Sequence, residues 1–349
     1  MMTPDATEKR VLEAIRERRE LVNDALDEDV PMAEPERLYE ATRYLLKAGG
    51  KRLRPTVSLL TAESLADVEP MSEDYRAFPT LAGDAIDVLV AAVSIEVIQS
   101  FTLIHDDIMD DDDLRRGVPA VHKEYDTSTA ILAGDTLYAK AFELLTKTGA
   151  DPADGLEAVR RLATTCTQIC EGQALDIEFE RRTEVLPDEY LQMVELKTAV
   201  LYGTAAAVPA VIMGADDEVV EALYQYGIES GSAFQIQDDV LDLTVPSDQL
   251  GKQRGSDLVE NKETIISLHA RQQGIDVDDL VDAETAEELT EDAVEAAVAE
   301  LNEAGSIDYA REMAEDLTEQ AKSRLDVLPD NEARDLLCDI ADYLITRGY

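Results

Sequence analysis

The sequence predicts an all-α protein. Apolar residues recur at helical spacing almost from end to end, and no stretch alternates convincingly as a strand. Two long apolar segments, Val88–His105 and Ala222–Gln237, carry a single charge each, Glu96 and Glu229. Helices that are apolar all round belong in the middle of a bundle. Each of these runs into an acidic cluster of the form DDxxD: Asp106, Asp107 and Asp110 in the first, Asp238, Asp239 and Asp242 in the second.

Taken in order, the pattern predicts helices over 5–28, 35–47, 54–66, 84–110, 126–147, 153–180, 188–213, 216–243, 261–272, 284–303, 307–325 and 331–346. Loops are expected at 67–83, 111–124, 148–152, 181–187, 244–260 and 272–283, where Gly, Pro and polar residues gather. No linker rich in Pro, Gly or Ser divides the 349 residues. One domain over 1–349 is therefore expected, with 1–34 as an N-terminal helical extension.

Asp and Glu number 76 against 31 Lys and Arg, a formal charge of −45. That charge excludes general nucleic-acid affinity, which needs a basic footprint, and electrostatic attachment to an anionic membrane. Persistent apolar periodicity excludes a disordered acidic chain. Acid spread along the whole sequence reads as adaptation to a salty medium, where screening shortens self-repulsion. Three cysteines (Cys166, Cys170, Cys338) without metal-type spacing suit a reducing compartment. The start, MMTPDATEKR, lacks signal-peptide form, and the apolar stretch Ala199–Ala215 is short and broken by Gly203 and Pro209. A cytoplasmic protein with no membrane span is expected.

Chemistry concentrates where cations interrupt the acid. On a helix, residues i and i+4 share a face about 5–6 Å apart, so Asp106 with Asp110, and Asp238 with Asp242, can share a ligand. Carboxylates at the negative end of a helix are unwelcome there and ask for cations. Lysine occurs at only ten positions, and several fall at telling places. Gly49-Gly50-Lys51-Arg52-Leu53-Arg54-Pro55 is a loosened turn with three cations, Arg115-Arg116 follow the first cluster, and Lys197-Thr198 interrupt an apolar helix. Lys252 and Lys262 flank the loop after the second cluster. Such groups suit phosphate oxygens, the carboxylates suit Mg2+ bound partly through substrate phosphates, and an apolar bundle core suits a hydrocarbon. No Ser-His-Asp or Cys-His arrangement and no nucleotide P-loop is present, and the three histidines are scattered.

At these residues the chain resembles the trans-isoprenyl diphosphate synthases, the family of farnesyl and geranylgeranyl diphosphate synthases. The likeness runs from about residue 35 onward and rests on GGKRLRP at 49–55, DDIMD with DDDLRRG at 106–117, Lys197-Thr198, FQIQDDVLD at 234–242 and GKQRGSDL at 251–258. The resemblance implies an isoprenoid-synthase bundle of about ten core helices around a deep cavity, usually dimeric. It also implies head-to-tail transfer of an allylic diphosphate onto isopentenyl diphosphate with about three Mg2+ ions.

By position, it implies that Asp106, Asp107, Asp110, Asp238, Asp239 and Asp242 hold the metal. Arg115, Lys197, Thr198, Gln235, Lys252 and Lys262 would hold the allylic diphosphate. Lys51, Arg54, Gln99 and Arg116 would hold isopentenyl diphosphate; Gln99 stands where many relatives have His. Phe101 and Thr102, five and four residues before Asp106, would bound the growing tail and imply a C20 product, with C15 as intermediate or second product. A longer-chain polyprenyl synthase, a terpene cyclase and a non-catalytic subunit are the rival readings. Cyclases lack GGKRLRP, and both acidic motifs are intact here.

The charge carries its own prediction. Moving the protein from molar to millimolar KCl should loosen the fold, lowering the helical circular dichroism signal; an unchanged spectrum would contradict it.

Overall fold

The computed structural model describes residues 4–179, 181–182, 184–246, 254–260, 262–281 and 288–346. In chain order the elements are α1 (Pro4–Asp29), α2 (Glu36–Lys47), α3 (Leu53–Ala66), β1 (Phe78–Pro79), β2 (Ala85–Ile86), α4 (Val88–Met109), β3 (Leu114–Arg115), β4 (Val118–Pro119), α5 (Val121–Glu124) and α6 (Thr127–Leu145). They continue as α7 (Pro152–Phe179), α8 (Pro187–Val194), a π-helical turn (Glu195–Ala199), α9 (Val200–Ile212), α10 (Asp217–Thr244), α11 (Ser256–Val259) and α12 (Ile265–Gln272). After a 3-10 turn at Val277–Asp279 come α13 (Glu291–Glu303), α14 (Ser306–Arg324) and α15 (Glu332–Thr346). The all-α expectation holds.

Three local departures have physical causes. The helix expected from residue 84 begins at Val88, because Ala85–Ile86 pairs antiparallel with Phe78–Pro79 and Asp87 caps the helix, accepting from Val90 N at 2.7 Å. The expected loop 111–124 holds a second two-residue ribbon, with Leu114 opposite Pro119, and the short α5. The expected helix 188–213 is interrupted by the π turn.

The chain forms two compact units. The first comprises 1–164, 203–224 and 325–340. Here α4 is the central element, packed by α6 and α3 and flanked by α1. Every residue from Val88 to Ile98 is buried. Two of the hydroxyls buried in this region find carbonyls: Ser94 donates to Ala141 O at 2.9 Å and Ser58 to Ala205 O at 2.7 Å. The N-terminal helix is no loose appendage, since Val11, Ile15 and Val22 are buried. Its Arg18, wholly buried, donates to Glu63 on α3 at 2.5 Å, and Tyr75 donates its hydroxyl to the same carboxylate.

The second unit comprises 165–202, 225–324 and 341–349. Its core gathers Tyr190 and Met193 from α8, Ile236 and Val240 from α10, Ile265 and Leu268 from α12, and Ile307 and Ala310 from α14. Among the described residues two helices, Val88–Met109 and Pro187–Ile212 (the latter spanning α8, the π turn and α9), are long and apolar enough to cross a membrane, but both are mostly buried inside the protein.

Removing one partner of a buried ion pair typically costs about 3–5 kcal/mol. Arg18→Ala should therefore lower unfolding stability by about that much in a urea titration in concentrated KCl. A loss below about 1 kcal/mol, the range of an exposed pair, would contradict the anchoring of α1.

Candidate functional site

In the first unit the organising group is Glu96, the only charge in the apolar run of α4. It is 3% exposed, as is Arg52, whose guanidinium donates to it. Arg52 also donates to Leu46 O at 2.6 Å and to Asn23 Oδ1 at 3.0 Å. Arg116 approaches the same carboxylate at 3.4 Å and donates to Gly49 O. Burial pulls the Arg116 guanidinium below its ordinary value, with Glu96 opposing.

The glycine pair before Lys51 has a steric reason. A Cβ on Gly50 would lie 2.9 Å from the Arg116 guanidinium carbon, and Gly50 has φ +141°. Arg52, Arg116 and Asp111 all take positive φ (53°, 54° and 55°), so backbone strain gathers around these loops. With Arg52 turned inward, Lys51 is exposed and Arg54 half-buried in the first turn of α3.

The first acidic stretch divides its carboxylates. Asp106 is half-buried and Asp110, the C-cap of α4, is exposed. Asp107, wholly buried, accepts from Arg115 Nε at 2.6 Å, and its Oδ2 has no protein partner. Burial raises its carboxyl above the ordinary value, while Arg115 opposes. Asp112 holds Arg115 from the other side at 2.7 Å. Farther out, Lys123 is paired with both Asp111, at 2.8 Å, and Asp113, at 2.9 Å. Gln99 is half-buried, and its carbonyl accepts from the buried Thr102 hydroxyl at 2.9 Å. Phe101 is half-buried and packs against His105 and Tyr138.

In the second unit the corresponding stretch lies in the last two turns of α10. Asp238 is partly exposed, whereas Asp239 and Asp242 are buried. Tyr190 donates its hydroxyl to Asp239, and Gln235 Nε2 donates to the same carboxylate at 3.1 Å. Thr198 Oγ1 in turn donates to Gln235 Oε1 at 3.1 Å. Burial, helped by the charge of Asp257, pushes the Asp239 carboxyl up to about 8. Asp242 accepts from Ser256 Oγ at 3.1 Å and from Asp257 N at 3.3 Å, fastening α11 to the end of α10.

Lys197 sits in the π turn and donates to Asp176 on α7 at 2.5 Å. That turn rests directly on α7, because a Cβ on Gly172 would meet Lys197 N at 2.3 Å. Insertion of a π turn re-aims the side chains that follow it, a common device at functional sites. Lys262 pairs with Glu260 at 2.8 Å at the surface, and Lys252 lies outside the described residues.

Asp176, Tyr190 and Gln173 escaped the sequence reading. Gln173 is 6% exposed, with neither amide atom partnered in the protein. The scarcity of lysine was the available signal for Asp176, as an anion for Lys197. Tyr190 gave none, since Asp239 is 49 residues away.

Among the described residues no three carboxylates, histidines or cysteines converge into a closed metal-binding group. The donor set instead fits a hard cation held through pairs of carboxylates and completed by substrate phosphate and water.

The polyprenyl synthetase family model matches residues 35–301. The chain belongs to the polyprenyl synthetase family. It is 68% identical over 336 residues to a geranylfarnesyl diphosphate synthase of Natronomonas pharaonis, covering 96% of this chain and 97% of that one. It is 48% identical to a geranylgeranyl diphosphate synthase of Methanosarcina mazei, covering 97% and 98%. The solved structure of a geranylgeranyl pyrophosphate synthetase from Geoglobus acetivorans matches with a TM-score of 0.83 at 45% identity, covering 95% of this chain and 99% of that one. This polyprenyl synthetase is thus a trans-prenyltransferase of the all-α isoprenyl synthase fold.

Proposed function

We propose that this enzyme condenses isopentenyl diphosphate with C5, C10 and C15 allylic diphosphates to give geranylgeranyl diphosphate (C20), with farnesyl diphosphate (C15) as an intermediate or second product, and that it depends on Mg2+. The observation that carries this reading is the division within each acidic stretch. Carboxylates stay at the surface (Asp106 and Asp110, and Asp238) while others turn inward onto Arg115 or onto Tyr190, Gln235 and Ser256. Such an arrangement suits metal ligands whose positions are fixed from behind. All six aspartates form the metal sites, with Asp106, Asp110 and Asp238 foremost. The unpartnered Asp107 Oδ2 supports a further donor there.

Mg2+, when bound, would neutralise the diphosphate and stabilise the charge that develops as it leaves. Arg115, Lys197, Lys252 and Lys262 add fixed positive charge for the allylic diphosphate, and Thr198 and Gln235 supply neutral polar contacts. The C1–O bond of the allylic substrate breaks with its electron pair leaving on pyrophosphate. The double bond of isopentenyl diphosphate, held by Lys51, Arg54, Arg116 and Gln99, attacks C1. A C2 proton is then lost to the departing pyrophosphate, so the chain need not supply a titrating base. Phe101 and Thr102 limit the tail.

A second reading, a C25 product, is favoured by the 68% identity to a protein named geranylfarnesyl diphosphate synthase. A homodimer is proposed as well, supported by the apolar outer face of α6, where Ile131 is 42%, Leu132 55% and Tyr138 38% exposed in an otherwise acidic protein. The enzyme is assigned to the cytoplasm.

The test uses protein in concentrated KCl with Mg2+, radiolabelled isopentenyl diphosphate and each starter, products being dephosphorylated and sized. C20 alcohol that disappears with chelator is expected. C25 would move the assignment to the second reading, and no product from any starter would overturn prenyl transfer. Asp106→Asn and Asp110→Asn should each lower turnover by at least about a hundredfold, an electrostatic contribution of roughly 2.7 kcal/mol or more.

A further inference from the structure

We propose that a cavity lined by the π turn, α10 and α14, apart from the substrate residues, is a regulatory site for a linear aliphatic amine of the diamine or polyamine class. Its effect on the reaction rests on Lys197 and Thr198 holding the allylic diphosphate.

The cavity has a volume of about 570 Å³, room for a small organic molecule. Ile228 of α10 and Met313 and Leu317 of α14 give it apolar lining. Tyr309 adds an aromatic wall, its ring stacked on His269 of α12 at a centroid distance of 4.3 Å and an interplanar angle of 17°. None of these residues belongs to the acidic motifs or to the basic turns.

The charged lining has one sign. Glu195 comes from the π turn, Glu229 from α10, and Glu312 and Asp316 from α14. Glu229, the lone charge of its apolar run, is 7% exposed and already has a cation, since Arg324 donates to it at 2.7 Å. Among the described residues no cation is paired with the other three. Glu312 and Asp316 are also i, i+4 neighbours, a spacing at which like charges destabilise a helix.

Ser232 points to a ligand independently of the charge. It lines the cavity and is 8% exposed, and its hydroxyl makes no hydrogen bond among the described residues. A buried hydroxyl without a partner is costly, and an ammonium N–H supplies one. Acid at the surface is ordinary in a chain of charge −45. Acid around an apolar, aromatic-walled recess with an unpartnered hydroxyl is not. A bare K+ answers the carboxylates but leaves the apolar lining wet. Ammonium groups on a methylene chain answer both, and the aromatic wall favours a cation as well.

The cavity shares elements with the allylic residues. Glu195 opens the π turn that carries Lys197 and Thr198, and Ser232 lies three residues before Gln235 on α10. An ammonium beside Glu195 offsets a negative charge two residues from Lys197, which favours an anionic diphosphate there.

The experiment titrates octamethylenediamine into the full-length enzyme in concentrated KCl by calorimetry, with octanol as the uncharged control. The diamine should bind and octanol should not. The double variant Glu312→Gln, Asp316→Asn, altered only at exposed positions, should weaken the diamine about tenfold or more. Ser232→Ala should weaken it too. No heat of binding, or equal binding by the double variant, would overturn the site. With saturating diamine, KM for the allylic diphosphate should fall about fivefold or more, while that for isopentenyl diphosphate stays put. If the diamine binds at these residues and neither KM moves, the regulatory role is overturned. Calorimetry needs no turnover, so it decides the site even where the prenyl-transfer reading fails.

Discussion

One buried carboxylate organises the first unit. Glu96 lies mid-way along a helix that is otherwise apolar, and a charge there is tolerable only when paired and hydrogen-bonded. Its partner Arg52 is equally buried and also binds Leu46 O and Asn23, so α1, α2 and the start of α3 are tied to α4 through one side chain. Arg116 arrives from the hairpin after the acidic stretch and shares the same carboxylate. Two guanidiniums around one carboxylate repel each other unless that negative charge is present. The same charge that holds the helices therefore fixes where the GGKRLRP turn and the Arg115-Arg116 hairpin sit.

The second unit reaches a comparable result by other means. Among the described residues no buried arginine stands behind Asp239. A tyrosine and a glutamine do, and their hydrogen bonds oppose the burial that raises the carboxyl. Asp242 also holds α11, through a hydroxyl and a backbone N–H. The π turn then places Lys197 against Asp176. In both units buried carboxylates of the acidic stretch are held by protein side chains, Arg115 in the first and Tyr190, Gln235 and Ser256 in the second.

Much of this was legible in the sequence because it depends on period and spacing. The central helices show in the absence of charge from Val88 to His105 and from Ala222 to Gln237. The shared face of Asp106 and Asp110 follows from i, i+4 spacing. Two-residue strands are too short to carry a period of two, so both ribbons were invisible. A π turn adds one residue to a turn without changing composition, so the break after Val194 left no mark. The motif GGKRLRP announces three cations but cannot say which one turns inward; the left-handed backbone of Arg52 decides that. The pairings of Asp176 and Tyr190 join residues far apart in sequence, which local patterns do not encode.

The most direct test of this account is the KM for each substrate in Glu96→Gln, which keeps the shape of the side chain and removes its charge. If Glu96 positions the basic loops, Arg52 and Arg116 will repel each other. KM for isopentenyl diphosphate should then rise about tenfold or more, a loss of roughly 1.4 kcal/mol, while KM for the allylic diphosphate changes little. An unchanged KM for isopentenyl diphosphate in a folded variant would contradict the account.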